Sequence, residues 1–134
     1  MVHRTSVTVR WSELDPYQHV NHAVYLTYFE QARIEALAAI GFSMADLERA
    51  GCQIVVSEAA VKFLASAGDG EVLDVETEVL TVRRASTTWR QRIIRGDATL
   101  VTMELTGAIT DLAGKPRRLP AGFAEALASM EGVP

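Results

Sequence analysis

Arg10-Trp11-Ser12-Glu13-Leu14-Asp15-Pro16-Tyr17-Gln18-His19-Val20-Asn21-His22-Ala23-Val24-Tyr25 is the stretch on which the reading of this chain turns. It closes a strand, forms an acidic loop marked by Pro16, and opens a long helix. Just upstream, Val7, Val9 and Trp11 alternate with Ser6, Thr8 and Arg10, the period of a half-buried strand with Trp11 on its inner side. Downstream, Asn21 is a good N-cap for a helix reaching about Ile40, with Gly41 just past its end. On a 3.6-residue period, Tyr25, Tyr28, Phe29, Ala32, Ala36, Ala39 and Ile40 share the buried face, and Thr27, Glu30, Gln31 and Arg33 lie opposite.

The remainder changes period. A short helix is expected over 43–50, capped by Ser43 and stopped by Gly51. Strands then follow over 53–63, 71–83, 87–93 and 99–111, where apolar residues recur at every second position. Ala67-Gly68-Asp69-Gly70, Arg95-Gly96-Asp97 and Ala113-Gly114-Lys115-Pro116 separate them as turns. Residues 120–130 suggest a last short helix. Strand, long helix, then four strands joined mostly by short turns implies an α+β fold: a five-stranded antiparallel sheet with one long helix on a single face. Such a sheet has two edges, and pairing edge to edge with a second copy is an ordinary way to satisfy one.

With 134 residues, 49% hydrophobic and 22% charged, the chain is expected to form one domain, 1–134, around one core. A net charge of −4 gives no general attraction to nucleic acid or anionic membrane. No apolar run approaches the roughly 20 residues of a bilayer span, and no apolar signal core opens the chain. A cytoplasmic protein is the expectation. The single cysteine, Cys52, permits no internal disulfide and reads as a small buried side chain.

Few residues can carry chemistry. Asp15 stands just ahead of a helix N-terminus, where a carboxylate and free backbone donors can face one electrophile. It reads equally as a turn-forming Asx residue before proline. Glu13 reads as a solvated loop acid, or as a neighbour raising the pKa of Asp15. His19 and His22 have the spacing of two metal ligands, and Asp15 could join them, but that set is incomplete for zinc. The His22 backbone N–H is a free first-turn donor. No serine stands in a nucleophile-elbow context, and no phosphate-binding glycine loop is present. Arg83, Arg84, Arg90, Arg92, Arg95, Lys115, Arg117 and Arg118 gather in the C-terminal half, as a wet strand face or as a local site for a phosphorylated ligand.

The strand, the acidic loop ending in Asp15, the His19-Val20-Asn21-His22 turn, Tyr25 on the helix and the following strand meander resemble the hotdog-fold acyl-CoA thioesterases. The nearest group is the 4-hydroxybenzoyl-CoA thioesterase-like family. In its motif two acids stand one residue apart. Glu13 holds the first place, where aspartate is usual, and Asp15 holds the catalytic one. Gln18 replaces a usual glycine and is expected to resist a positive φ. His22 and Tyr25 match a histidine and a tyrosine of the family's helix.

The resemblance implies a curved sheet wrapped around the long helix, a homodimer or homotetramer, and acyl-CoA bound in clefts at the dimer interface. It also implies hydrolysis of acyl-CoA to free acid and CoA without a cofactor or metal. Asp15 would be nucleophile or general base, His22 N–H would polarise the carbonyl, and the His22 and Asn21 side chains would orient Asp15 or water. Tyr25, Arg83, Arg84, Ser86 and Arg118 would bind substrate, the arginines at the CoA phosphates and Ser86 near the pantetheine arm. The alternatives are a non-catalytic acyl-CoA-binding domain and a thioesterase for acyl-carrier-protein thioesters.

Overall fold

Asn21 caps the long helix α1 (His22–Ala39) through its side-chain oxygen, which accepts the Ala23 N–H at 2.9 Å. This computed structural model describes residues 1–131, so positions 132–134 of the expected domain lie outside the described residues. The remaining elements are β1 (His3–Thr8), α2 (Met44–Arg49), β2 (Cys52–Phe63), β3 (Val72–Val82), β4 (Ser86–Arg95), β5 (Ala98–Asp111) and α3 (Phe123–Ala128). The strands form one antiparallel sheet in the order β1-β3-β4-β5-β2, which leaves β1 and β2 as its edges. The fold is the hotdog arrangement. No helix among the described residues is long and apolar enough to cross a membrane.

The core lies between α1 and one face of the sheet. Tyr25, Tyr28, Phe29, Ala32, Ala36 and Leu37 of α1 are buried, against Leu73, Val75, Val79, Trp89 and Ile93 of β3 and β4. The alanines let the helix axis sit close to the sheet. Four side chains depart from the sequence periodicity. Trp11 is 76% exposed, because a 3-10 turn over Trp11–Glu13 breaks the strand alternation before it reaches that residue. Leu37 is buried in place of Ala39, which is exposed. Arg33, expected on the wet face, is half-buried on the flank of α1.

A polar layer under the helix explains the last of these. Gln91 of β4 is buried, and its amide nitrogen donates to the Phe29 carbonyl and to Thr77 Oγ1, both at 2.9 Å. That leaves Gln91 Oε1 to accept from Arg33 Nη1 at 2.9 Å. On the opposite face of the sheet, Glu76 pairs with Arg4 and Arg92, and Glu78 accepts from Arg90 at 2.6 Å. Cross-strand register places these partners side by side.

Candidate active site

The acidic loop is a tight hairpin clamped at both ends. The Asn21 N–H donates to the Glu13 carbonyl at 2.9 Å, Leu14 bridges Val20, and the Asp15 N–H donates to the His19 carbonyl at 2.7 Å. The Gln18 N–H closes the turn on the Asp15 carbonyl at 3.0 Å. Gln18 takes φ +63, so the residue expected to resist the left-handed region adopts it, at a cost of order 1–2 kcal/mol. The hairpin is held from outside as well. The Val20 N–H donates to the Ala67 carbonyl at 2.9 Å, and the Ala67 N–H donates to the Tyr25 hydroxyl at 3.2 Å.

Within this loop Asp15 is the turn-forming Asx residue, with one carboxylate oxygen left over. Oδ1 makes the Asx contacts, accepting from the Tyr17 N–H at 2.8 Å and the His19 N–H at 3.2 Å. Oδ2 accepts no hydrogen bond from any of the described residues. The carboxylate is thus fixed by one oxygen and open at the other. Backbone amides do the orienting, since no hydrogen bond joins Asp15 to Asn21 or His22.

Asn21 is spent on the helix cap, and this has a consequence next door. Its side chain takes the Ala23 N–H and its carbonyl takes the Val24 N–H at 2.9 Å. The His22 N–H is left without an acceptor among the described residues. A free donor at the positive end of an 18-residue helix is suited to a developing oxyanion. The His22 ring is exposed and stands edge-on to Phe63, 6.3 Å between centroids.

Glu13 is neither a free loop acid nor a partner for Asp15. Its Oε1 accepts from the Arg10 N–H at 2.9 Å and from the Tyr28 hydroxyl at 2.8 Å. Burial, and then the neighbouring Glu13 carboxylate, push the Tyr28 phenol well above its usual pKa. Glu13 therefore anchors the hairpin to α1. Tyr25 is 3% exposed, and its hydroxyl and ring support Ala67 and Phe63. Among the described residues no three of His, Cys, Asp and Glu converge as a metal site.

The structure sorts the basic residues. Arg90, Arg92 and Arg95 are paired with Glu78, Glu76 and Glu71, and Arg117 donates to the carbonyls of Ala50, Gly51 and Arg118. Arg83, Arg84 and Arg118 are exposed, with no carboxylate partner among the described residues. They come together because the Arg83 N–H closes a turn on the Ser86 carbonyl at 2.8 Å, and the Leu119 N–H reaches the Arg84 carbonyl at 3.1 Å. This cluster is not beside Asp15. It sits past the far end of β3, whose 11 residues extend about 35 Å.

Comparison with known proteins agrees with this geometry. The family described as the thioesterase-like superfamily matches residues 9–127. The acyl-CoA thioester hydrolase YbgC of Escherichia coli O6:H1 is 32% identical over 119 residues, covering 87% of this chain and 89% of that protein. A probable thioesterase from Bartonella henselae superposes with a TM-score of 0.86 at 30% identity, over 90% of this chain and 100% of that one. A DHNA-CoA thioesterase from Staphylococcus aureus gives a TM-score of 0.87 at 26% identity, over 96% and 89% of the two chains. A hotdog sheet around one capped helix, an aspartate held in the hairpin before it, and these relatives together place the chain in the thioesterase-like superfamily as a thioester hydrolase.

Proposed function

We propose that this protein is a single-domain cytoplasmic enzyme that hydrolyses acyl-CoA to free acid and CoA, and that each complete site needs two copies of the chain. The observation that carries the chemistry is the pair formed by the open Asp15 oxygen and the free His22 N–H, on one hairpin and its helix. The His22 donor stabilises the oxyanion as the thioester carbonyl is attacked. Asp15 either attacks the acyl carbon, forming an anhydride that water then cleaves, or takes a proton from the attacking water. In both cases the C–S bond breaks, the thiolate leaves and is protonated, and water supplies the new acid oxygen. Asn21 serves the reaction by capping the helix so that His22 stays free. Tyr25 serves it by fixing Ala67 and Phe63 beside the site.

Topology supports the two-copy site. β2 is a 12-residue edge strand, with Val55, Val56 and Phe63 exposed. Its Phe63 end carries His22, and its Cys52 end carries the strap on which Arg117 grips Ala50 and Gly51 and Leu119 grips Arg84. In one chain these ends are about 40 Å apart. Antiparallel pairing of two β2 strands sets the Cys52 end of one copy beside the Phe63 end of the other. Arg83, Arg84 and Arg118 then face CoA phosphates whose thioester lies at the other copy's Asp15, with Ser86 near the pantetheine arm. A panel of acyl-CoAs with the purified protein, followed by free-thiol release, tests the reading. Thioester binding without thiol release from any member of the panel, or from the matching acyl-pantetheines, would refute it.

A further inference from the structure

A cavity of about 250 Å³ opens on the β2 flank of α1. Leu37 of the helix and Ile54, Trp89 and Leu105 of the sheet give it apolar walls, while Glu30 and Arg33 supply its two charged groups. Arg33 is the unusual one. It is half-buried, and burial pulls its guanidinium below the ordinary arginine pKa although Glu30 opposes this. No carboxylate among the described residues pairs with it. Its one acceptor is Gln91 Oε1, whose amide orientation is locked because both Nε2 donors are already spent on Phe29 and Thr77. The other guanidinium donors have no acceptor among the described residues. None of its nitrogens is a fully buried orphan, so water reaches the free donors, and an occupant that covers them would have to bring acceptors the protein does not supply.

We propose that this cavity receives the far end of the acyl chain, and that Arg33 selects aliphatic chains ending in a neutral oxygen, such as a hydroxyl or keto group, over plain hydrocarbon ones. The inference rests on the acyl-CoA reading above. In the β2-paired arrangement the second copy's Phe63 and His22 come beside Ile54, so a chain held there by its thioester enters this cavity. A plain hydrocarbon end would strip Arg33 of water and return no hydrogen bond. A hydroxyl accepts from Arg33 and can also donate to Glu30, whereas a terminal carboxylate meets the Glu30 charge.

The experiment compares kcat/KM for octanoyl-CoA and its ω-hydroxy counterpart in the wild type, Arg33→Met and Arg33→Lys, beside the wider acyl-CoA panel. The wild type should favour the ω-hydroxy thioester by at least about tenfold. Arg33→Met should bring the two within about threefold, through a larger loss on the ω-hydroxy substrate than on octanoyl-CoA. Arg33→Lys keeps the charge, guards against a folding defect in the methionine variant, and should show an intermediate preference. Equal wild-type rates on the two thioesters overturn the selection by Arg33 and leave the thioesterase reading standing. A preference that survives Arg33→Met makes Arg33 a strut between helix and sheet, and also overturns it. Turnover of other acyl-CoAs with neither octanoyl thioester accepted overturns the cavity as the acyl site. No turnover of any acyl-CoA defeats both readings.

Discussion

Replacing Asp15 separates the two roles proposed for it, because the loop holds only one of its two oxygens. Asp15→Asn keeps an oxygen where Oδ1 accepts from Tyr17 and His19, and changes only charge and the open position. The loop and helix cap should survive, with stability within about 0.5 kcal/mol of wild type. Asp15→Ala removes both loop bonds. Hydrogen bonds to a charged acceptor are worth about 1.5–3 kcal/mol each when buried, but Asp15 is half-exposed and Tyr17 and His19 are exposed to water. About 1–2 kcal/mol in total is the expected loss. For a chain of 134 residues, that lowers Tm by about 4–7 °C.

Chemistry should not follow the same order. On the proposed mechanism both variants lose the carboxylate that attacks or accepts the proton, so kcat/KM should fall at least about 100-fold in each, about 2.7 kcal/mol of barrier. Calorimetry gives Tm, and free-thiol release with the preferred acyl-CoA gives turnover. Near-normal turnover by Asp15→Asn would refute the mechanism. A Tm loss in Asp15→Asn as large as in Asp15→Ala would refute the division of labour between the two oxygens.

Arg84→Ala and Arg118→Ala should each raise KM for acyl-CoA with kcat nearly unchanged, and the effect should vanish on an acyl-pantetheine lacking the nucleotide phosphates. Equal losses on both substrates would mean these arginines shape the fold and do not grip phosphate. The chain should be at least dimeric by light scattering at micromolar concentration, and Val56→Asp on the β2 edge should lower the mass and the activity together. An active monomer contradicts the two-copy site. Burial pushes the Glu76 carboxyl upward, but hydrogen bonds from Arg4 and Arg92 outweigh it and hold the group below the usual carboxylate range. Its contribution is therefore full above about pH 4.3 and lost as pH falls through the depressed folded value. Glu76→Gln should flatten the acid limb of a Tm-versus-pH curve, and an unchanged limb would count against the pairing.

Much of the site was legible because it is local. Asn21 as cap, His22 as the free donor and Asp15 in the loop all follow from residues within one or two turns of one another. Glu13 was not legible. Its solvated reading failed because its partner, Tyr28, lies on the second turn of a helix that folds back over the hairpin. Trp11 was misplaced because a 3-10 turn interrupts a periodicity that looks continuous. Arg33 was misplaced because its acceptor, Gln91, stands 58 residues away on β4.

The sequence by itself determined the elements and their order, since caps, breakers and hydrophobic period act over a few residues. It also determined that Asp15 stands in the loop before the long helix. Only the tertiary structure decided which charges are free. Cross-strand register gave Arg90 and Arg92 carboxylate partners, Glu71 just before β3 gave Arg95 one, and Arg83, Arg84 and Arg118 were left without any among the described residues. Tertiary structure alone set those arginines and Asp15 at opposite ends of β3. The physical reason is the same in each case: pairing energies depend on distance in space, and a sheet brings together residues that the chain keeps far apart.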